Sequence, residues 1–181
     1  MRETILMKKN SGFTLMEVMV VIGIIGIMSA IAIPNYIAWL PKHRMSGAAR
    51  DIYSAMQSAR IKAVKENEHV VINFTTGLGA AGTYEVFIDD GRGGGTANDN
   101  IQNGTENIKN GQMPGDVTMF QAQFGANSWF RFDSRGRPNG LGGTVRISNA
   151  QANLFTEIRL RITGTPDIRI SLDGGANYPD T

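Results

Sequence analysis

The sequence predicts an α+β protein, a long N-terminal helix followed by a small antiparallel sheet. Phe13 to Ile33 is an apolar run whose only formal charge is Glu17. Beyond it, Ile52, Met56, Ala59 and Ala63 recur at i, i+4, i+7 and i+11, the stripe of a helix that packs one face on a sheet. After Glu68 the chain breaks into short strand-like segments with glycine-rich turns and no helical periodicity between them.

The first twelve residues carry Arg2, Lys8 and Lys9 against Glu3, which accounts for the net charge of +2. The remainder is neutral overall, so charge alone does not mark a nucleic-acid binder. Cysteine is absent, which excludes disulfides, thiolate metal sites and cysteine nucleophiles.

As a helix, Phe13–Ile33 measures about 31 Å, close to the hydrocarbon thickness of a bilayer. Lys8 and Lys9 precede it, which places the N-terminus in the cytoplasm and the bulk of the chain across the membrane. A plain signal anchor accounts for this pattern. So does a secretory signal cleaved after Ala30-Ile31-Ala32, and so, less well, does a buried core helix. None of these accounts for Glu17, since a charge inside a membrane helix costs on the order of 3 kcal/mol.

The stretch Gly12-Phe13-Thr14-Leu15-Met16-Glu17 resembles the type IV prepilin motif of type IV pilins and type II secretion pseudopilins. The resemblance implies a leader over 1–12, cut after Gly12 by a prepilin peptidase that also N-methylates Phe13. It implies an assembly role for Glu17 and a helix kink at Pro34. Cleavage would leave an amine four residues before Glu17, in the same apolar layer. A carboxylate and an amine at one depth in a low-dielectric bundle reward pairing and penalise either charge alone. Small residues at Gly23, Gly26, Ser29, Ala30 and Ala32 permit close approach of neighbouring helices.

Pro34 and Pro41 are expected to kink or loosen the helix, with Tyr36 and Trp39 between them at the interface. The helix is expected to resume after Pro41 and to end near Glu66, with Arg50, Arg60, Lys62 and Lys65 on its solvated side. This divides the chain into a leader (1–12), a membrane and assembly helix (13–40) and a periplasmic stem and β-rich domain (41–181).

The expected strands are HVVINFT (69–75), TYEVFID (83–89), VTMFQA (117–122), SWFRFD (128–133), TVRIS (144–148), EIRLRIT (157–163) and DIRISL (167–172). Residues 90–115 read as one long polar loop rich in Gly and Asn. Asp89, Asp90, Asp99 and Glu106 offer oxygen ligands there, but no calcium-loop spacing is present, so a solvated loop is expected and no metal. His43 and His69 lie outside metal-ligand spacing of each other, and no catalytic or cofactor-binding motif appears. The chain is expected not to be an enzyme and to need no cofactor.

FDSRGRPNG (132–140) reads as a turn between strands and resembles a segment of the GspH/FimT-type minor subunits, as does the stem ARDIYSAMQSARIKAVKENEHVVINF. Major pilins usually close a C-terminal loop with a disulfide, which this chain lacks. The resemblance implies a minor pseudopilin of a type II secretion system, or else a FimT-like minor pilin of a type IV pilus. Either would be a single-pass inner-membrane protein whose partners are other pilin-like subunits and the prepilin peptidase.

After residue 130 there are seven arginines and no lysine, and Arg159, Arg161 and Arg169 fall on or beside neighbouring strands. Guanidinium forks suit phosphates and carboxylates. DNA-binding FimT-type members tend to carry a Gly-Arg-x-Arg-like element near the end. Here GTPDIRI places Thr165, Pro166 and Asp167 where its first basic residue would stand, which favours a partner-contacting or solvated face over DNA.

Overall fold

The computed structural model describes residues 12–77, 81–91, 96–102, 107–140 and 142–171. They form two compact units that divide between Trp39 and Leu40. One helix, α1 (Leu15–Glu66), contributes to both. Its helical assignment passes Pro34 and Pro41 without interruption.

In the first unit Thr14 caps α1: its hydroxyl accepts the Glu17 N–H at 3.2 Å. Thr14 and Glu17 thus stand at the cap and third positions, the spacing of a capping box. Every residue from Gly12 to Met28 is exposed, including Phe13, Leu15, Met16 and Ile27. The apolar run is therefore not a core helix of this chain.

In the second unit α1 buries Met45, Ala48, Ala49, Ile52, Ala55, Met56, Ala59 and Ala63. The stripe begins two turns earlier than the expected set and is wider. Five of these eight residues are alanines, which lets the sheets approach the helix closely. Asn67 (φ 57°) ends the helix in the left-handed region, and the Glu68 N–H returns to the Ala63 carbonyl at 3.3 Å.

Two four-stranded antiparallel sheets follow. The first contains β1 (Val70–Thr75), β2 (Thr83–Ile88), β3 (Asn107–Gln112) and β5 (Trp129–Phe132), in the order β3-β2-β1-β5. The second contains β4 (Thr118–Gln123), β6 (Gly143–Asn149), β7 (Leu154–Leu160) and β8 (Pro166–Ser171), in the order β4-β6-β7-β8. Alternation sorts the faces: Val70, Ile72 and Phe74 of β1, Tyr84 and Val86 of β2, and Val145 and Ile147 of β6 all enter the core with the helix stripe. Phe74 stacks on Phe124 and Phe130 within it at 5.6 and 6.2 Å between centroids, and Phe124 and Phe130 meet tilted at 4.6 Å.

Two expectations are corrected. Residues 90–115 are not one loop, because β3 lies within them and pairs with β2, Tyr84 opposite Gly111. NIKNGQ carries one large apolar residue, so it lacks the alternation that marks a half-buried strand. A contact with α1 holds it instead. Lys109 Nζ lies 3.1 Å from Asp51 Oδ1, and the Tyr84 hydroxyl donates to Asp51 Oδ2 at 2.9 Å. The second correction concerns β7, which runs from Leu154 to Leu160 rather than over 157–163. Gly164 (φ 78°) and its turn take the residues beyond it.

The described part of the loop before β3 is latched. Asp89 is fully buried and accepts the N–H groups of Asn98 at 2.8 Å and Asn100 at 2.9 Å, both asparagines having φ above 60°. Arg131 donates to Asn100 Oδ1 at 3.1 Å, and His69 Nδ1 contacts Asn98 Oδ1. Val71 and Phe87, cross-strand partners with Arg131 beside them, are buried yet stand apart from the main core cluster. Part of this loop is thus fixed to the sheet rather than solvated.

Candidate assembly segment and arginine groove

Gly12 and Phe13 precede the first turn of α1 and are exposed. The leader before Gly12 lies outside the described residues. Phe13, Glu17 and Val21, spaced at i and i+4, line one apolar hollow of about 270 Å³ with Val18 and Ile22. Glu17 therefore shares a helix face with the residue that cleavage would make the N-terminus. Its position also suits the positive end of the helix dipole, so capping gives it a second reason to be there. Sequence reasoning passed over Thr14, although T-x-x-E before an apolar run is a signal for it.

At the Glu66 end of α1, the turn 133–138 rests on the helix. Asp133 accepts the N–H groups of Arg135 and Arg137 at 2.9 and 2.8 Å and pairs with the Arg137 guanidinium at 3.0 Å. These bonds outweigh partial burial and hold its carboxyl below the usual range. Gly136 (φ 71°) lies against Arg60 and Val64, with Gly164 beside it, and Arg60 reaches the Gly164 carbonyl at 3.5 Å.

The structure brings Arg159, Arg161 and Arg169 together around one groove of about 790 Å³, with Gly142 and Thr144 on its wall. Register explains this: Arg159 faces Asp167 across β7 and β8, and Glu157 faces Arg169. Arg161 lies just past the end of β7 and bonds Asp167 at 2.9 Å. Arg169 shares the face of Arg159 but is buried, its Nε 3.6 Å from Asp167, so it does not continue an exposed row. Next to them Arg146 pairs with the buried Glu157 at 2.8 Å and reaches Gln121 at 3.0 Å. Two carboxylates interleave with four guanidiniums, which reduces the charge available to a polyanion. Asp167, read from the sequence as a departure from the basic element, is the residue that answers Arg161.

Among the described residues no three His, Cys, Asp or Glu side chains come together as a metal site. Asp89 is committed to backbone amides, Asp99 Oδ1 accepts the Ile101 N–H, and Glu106 lies outside the described residues.

The family model for the type II transport protein GspH matches residues 48–174, and the prokaryotic N-terminal methylation motif matches residues 7–33. The chain belongs to the GspH family. This GspH-family chain is 39% identical over 69 residues to a fimbrial protein of Pseudomonas aeruginosa, a match covering 38% of this chain and 44% of that one. It is 37% identical over 94 residues to the type IV major fimbrial protein FimA of Dichelobacter nodosus, covering 47% and 60%. The chain thus spans less than two thirds of the length of these relatives. In fold it is similar to the type IV minor pilin FimU of Pseudomonas aeruginosa, with a TM-score of 0.51 and 13% identity over 77% of this chain and 96% of that one. The minor pseudopilin EpsH from the type 2 secretion system of Vibrio cholerae scores 0.49 at 10% identity, over 69% and 95%. The GspH-family domain thus stands behind a pilin-like N-terminal segment that carries the methylation motif.

Proposed function

We propose that this GspH-family chain is a minor pseudopilin of a type II secretion system. It is cleaved between Gly12 and Phe13, methylated on Phe13, and built into a periplasmic filament through residues 13–40, with Pro34 as the bend and 41–181 as the exposed domain. The observation that carries the reading is the pairing of a GspH domain with a prepilin helix on which Phe13 and Glu17 share one exposed hollow. The new amine of Phe13 and the Glu17 carboxylate of a neighbouring subunit then fix axial register, because a mismatch leaves both charges in an apolar bundle. In this topology the N-terminus faces the cytoplasm and the domain the periplasm of a bacterial inner membrane.

A minor pilin of a type IV pilus is the second reading, favoured by the likeness in fold to FimU and by the fimbrial relatives. On that reading the groove of Arg159, Arg161 and Arg169 is the surface for a nucleic acid or a partner subunit.

Glu17→Val tests the assembly role. The variant is expected to insert normally and be cleaved, yet to be lost from filaments in cross-linking to neighbouring subunits. Full incorporation overturns the role given to Glu17. Deletion of the chain separates the two systems: a secretion defect with intact pili supports the first reading, and a pilus defect alone supports the second.

A further inference from the structure

The first residues of the globular unit carry a second feature that assembly through Glu17 does not use. Between Phe13 and Pro41 there is no lysine or arginine, and then Lys42, His43 and Arg44 follow together, with Arg50 two turns on. All four are exposed. Lys42 and Arg50 enter no ion pair among the described residues, while Arg44 pairs with Asp116 at 3.3 Å. His43, Arg44, Gly47 and Arg50 line a groove of about 590 Å³ whose far wall includes Met113 and Pro114. Asp51 also lines it, but its carboxylate is paired with Lys109 at 3.1 Å, so the rim keeps a cationic surplus.

In sequence this rim follows closely on the apolar run. The apolar run ends at Ile33, and Tyr36 and Trp39 follow with ring centroids 6.2 Å apart, an amphipathic pair suited to the interface. Lys42 is three residues past Trp39, so the chain cannot carry it more than about 11 Å away.

We infer that Lys42, His43 and Arg44, with Arg50 at the upper rim, bind the phosphate of an acidic glycerophospholipid on the side of the membrane that holds the globular unit. The contact seats the unassembled subunit on the bilayer, and drawing the subunit into a filament breaks it. A basic residue near an anionic leaflet contributes on the order of 1 kcal/mol, roughly a fivefold preference for acidic lipid. The inference rests on the membrane-anchored reading of the chain.

Trp39 reports it directly. In a Trp129→Phe background, the full chain is placed in phosphatidylcholine bilayers containing phosphatidylglycerol, with brominated acyl chains on one lipid or the other. Brominated phosphatidylglycerol is expected to quench Trp39 several-fold more effectively than its share of the bilayer predicts. Lys42→Ala with Arg44→Ala removes the preference. Lys42→Ala with Arg50→Ala, which leaves the Arg44–Asp116 pair intact, reduces it. Binding of inorganic phosphate by the full chain, with no preference for the acidic lipid at matched ionic strength, would make a free anion the ligand and overturns the inference. Equal quenching by the two brominated lipids also overturns it while leaving the membrane anchor standing. No quenching by either removes the anchor as well.

Discussion

Gly111 lies against the ring of Tyr84: a Cβ built there would overlap the ring at Cζ. The buried Tyr84 ring fills space that any larger residue on β3 would claim, and its hydroxyl reaches Asp51 on α1. Gly111→Ala is therefore expected to displace the ring and cost about 2–3 kcal/mol, from overpacking and a lost hydrogen bond. Thermal melting of the full chain checks this, and an unchanged midpoint would show that β3 moves aside instead. At the same scale Thr14 and Glu17 show one residue serving two ends: Glu17 completes a helix cap and presents a carboxylate beside Phe13. The TLME spacing makes the cap legible. The shared hollow follows from helical geometry once the start of α1 is fixed.

The strands legible in the sequence are those whose apolar residues alternate. β1 and β2 fall where VVINF and TYEVF place them, because every second side chain has to leave water. β3 was not legible, since NIKNGQ gains its place from backbone pairing with β2 and from the Lys109–Asp51 contact, 58 residues apart in sequence. The latch at Asp89 was not legible for the same reason: its partners are backbone amides, which sequence does not distinguish. Asp89→Ala strands the Asn100 N–H and leaves that of Asn98 only its longer bond to the Asp89 carbonyl, at 3.4 Å, and is expected to cost about 1–3 kcal/mol. It should also speed limited proteolysis within residues 90–102, with Asp89→Asn intermediate because it keeps one acceptor oxygen. Equal cleavage rates in all three proteins would mean that the loop is held by other contacts. In the arginine groove, the sequence supplied the arginines and their strands. The pairing with Asp167 and the burial of Arg169 came from strand register.

Across the whole molecule, the bridge between α1 and the first sheet titrates. Burial holds the Tyr84 hydroxyl above its ordinary value, against the pull of Lys109. Burial lowers Lys109, but its bonds to Asp51 and Tyr84 outweigh that and raise it. Both groups hold protons more tightly when folded than when unfolded. Their contribution is complete below about pH 10 and is lost as pH rises through the folded values. Denaturant unfolding is expected to show stability falling above about pH 10, and Tyr84→Phe to flatten that fall. A variant with the same alkaline slope as the parent would move its origin elsewhere.

The sequence by itself determined the long apolar N-terminal helix, its methylation motif, the α+β class and most of the strands. These depend on local patterns of apolarity, charge and turn chemistry that act within a few residues. Only the tertiary structure decided that a polar stretch forms β3, that part of the Asn-rich loop is tied to a buried aspartate, and that three arginines share a groove with an acid between two of them. Each of those depends on pairing groups far apart in the chain, whose identity is set by register and packing rather than by neighbours in sequence.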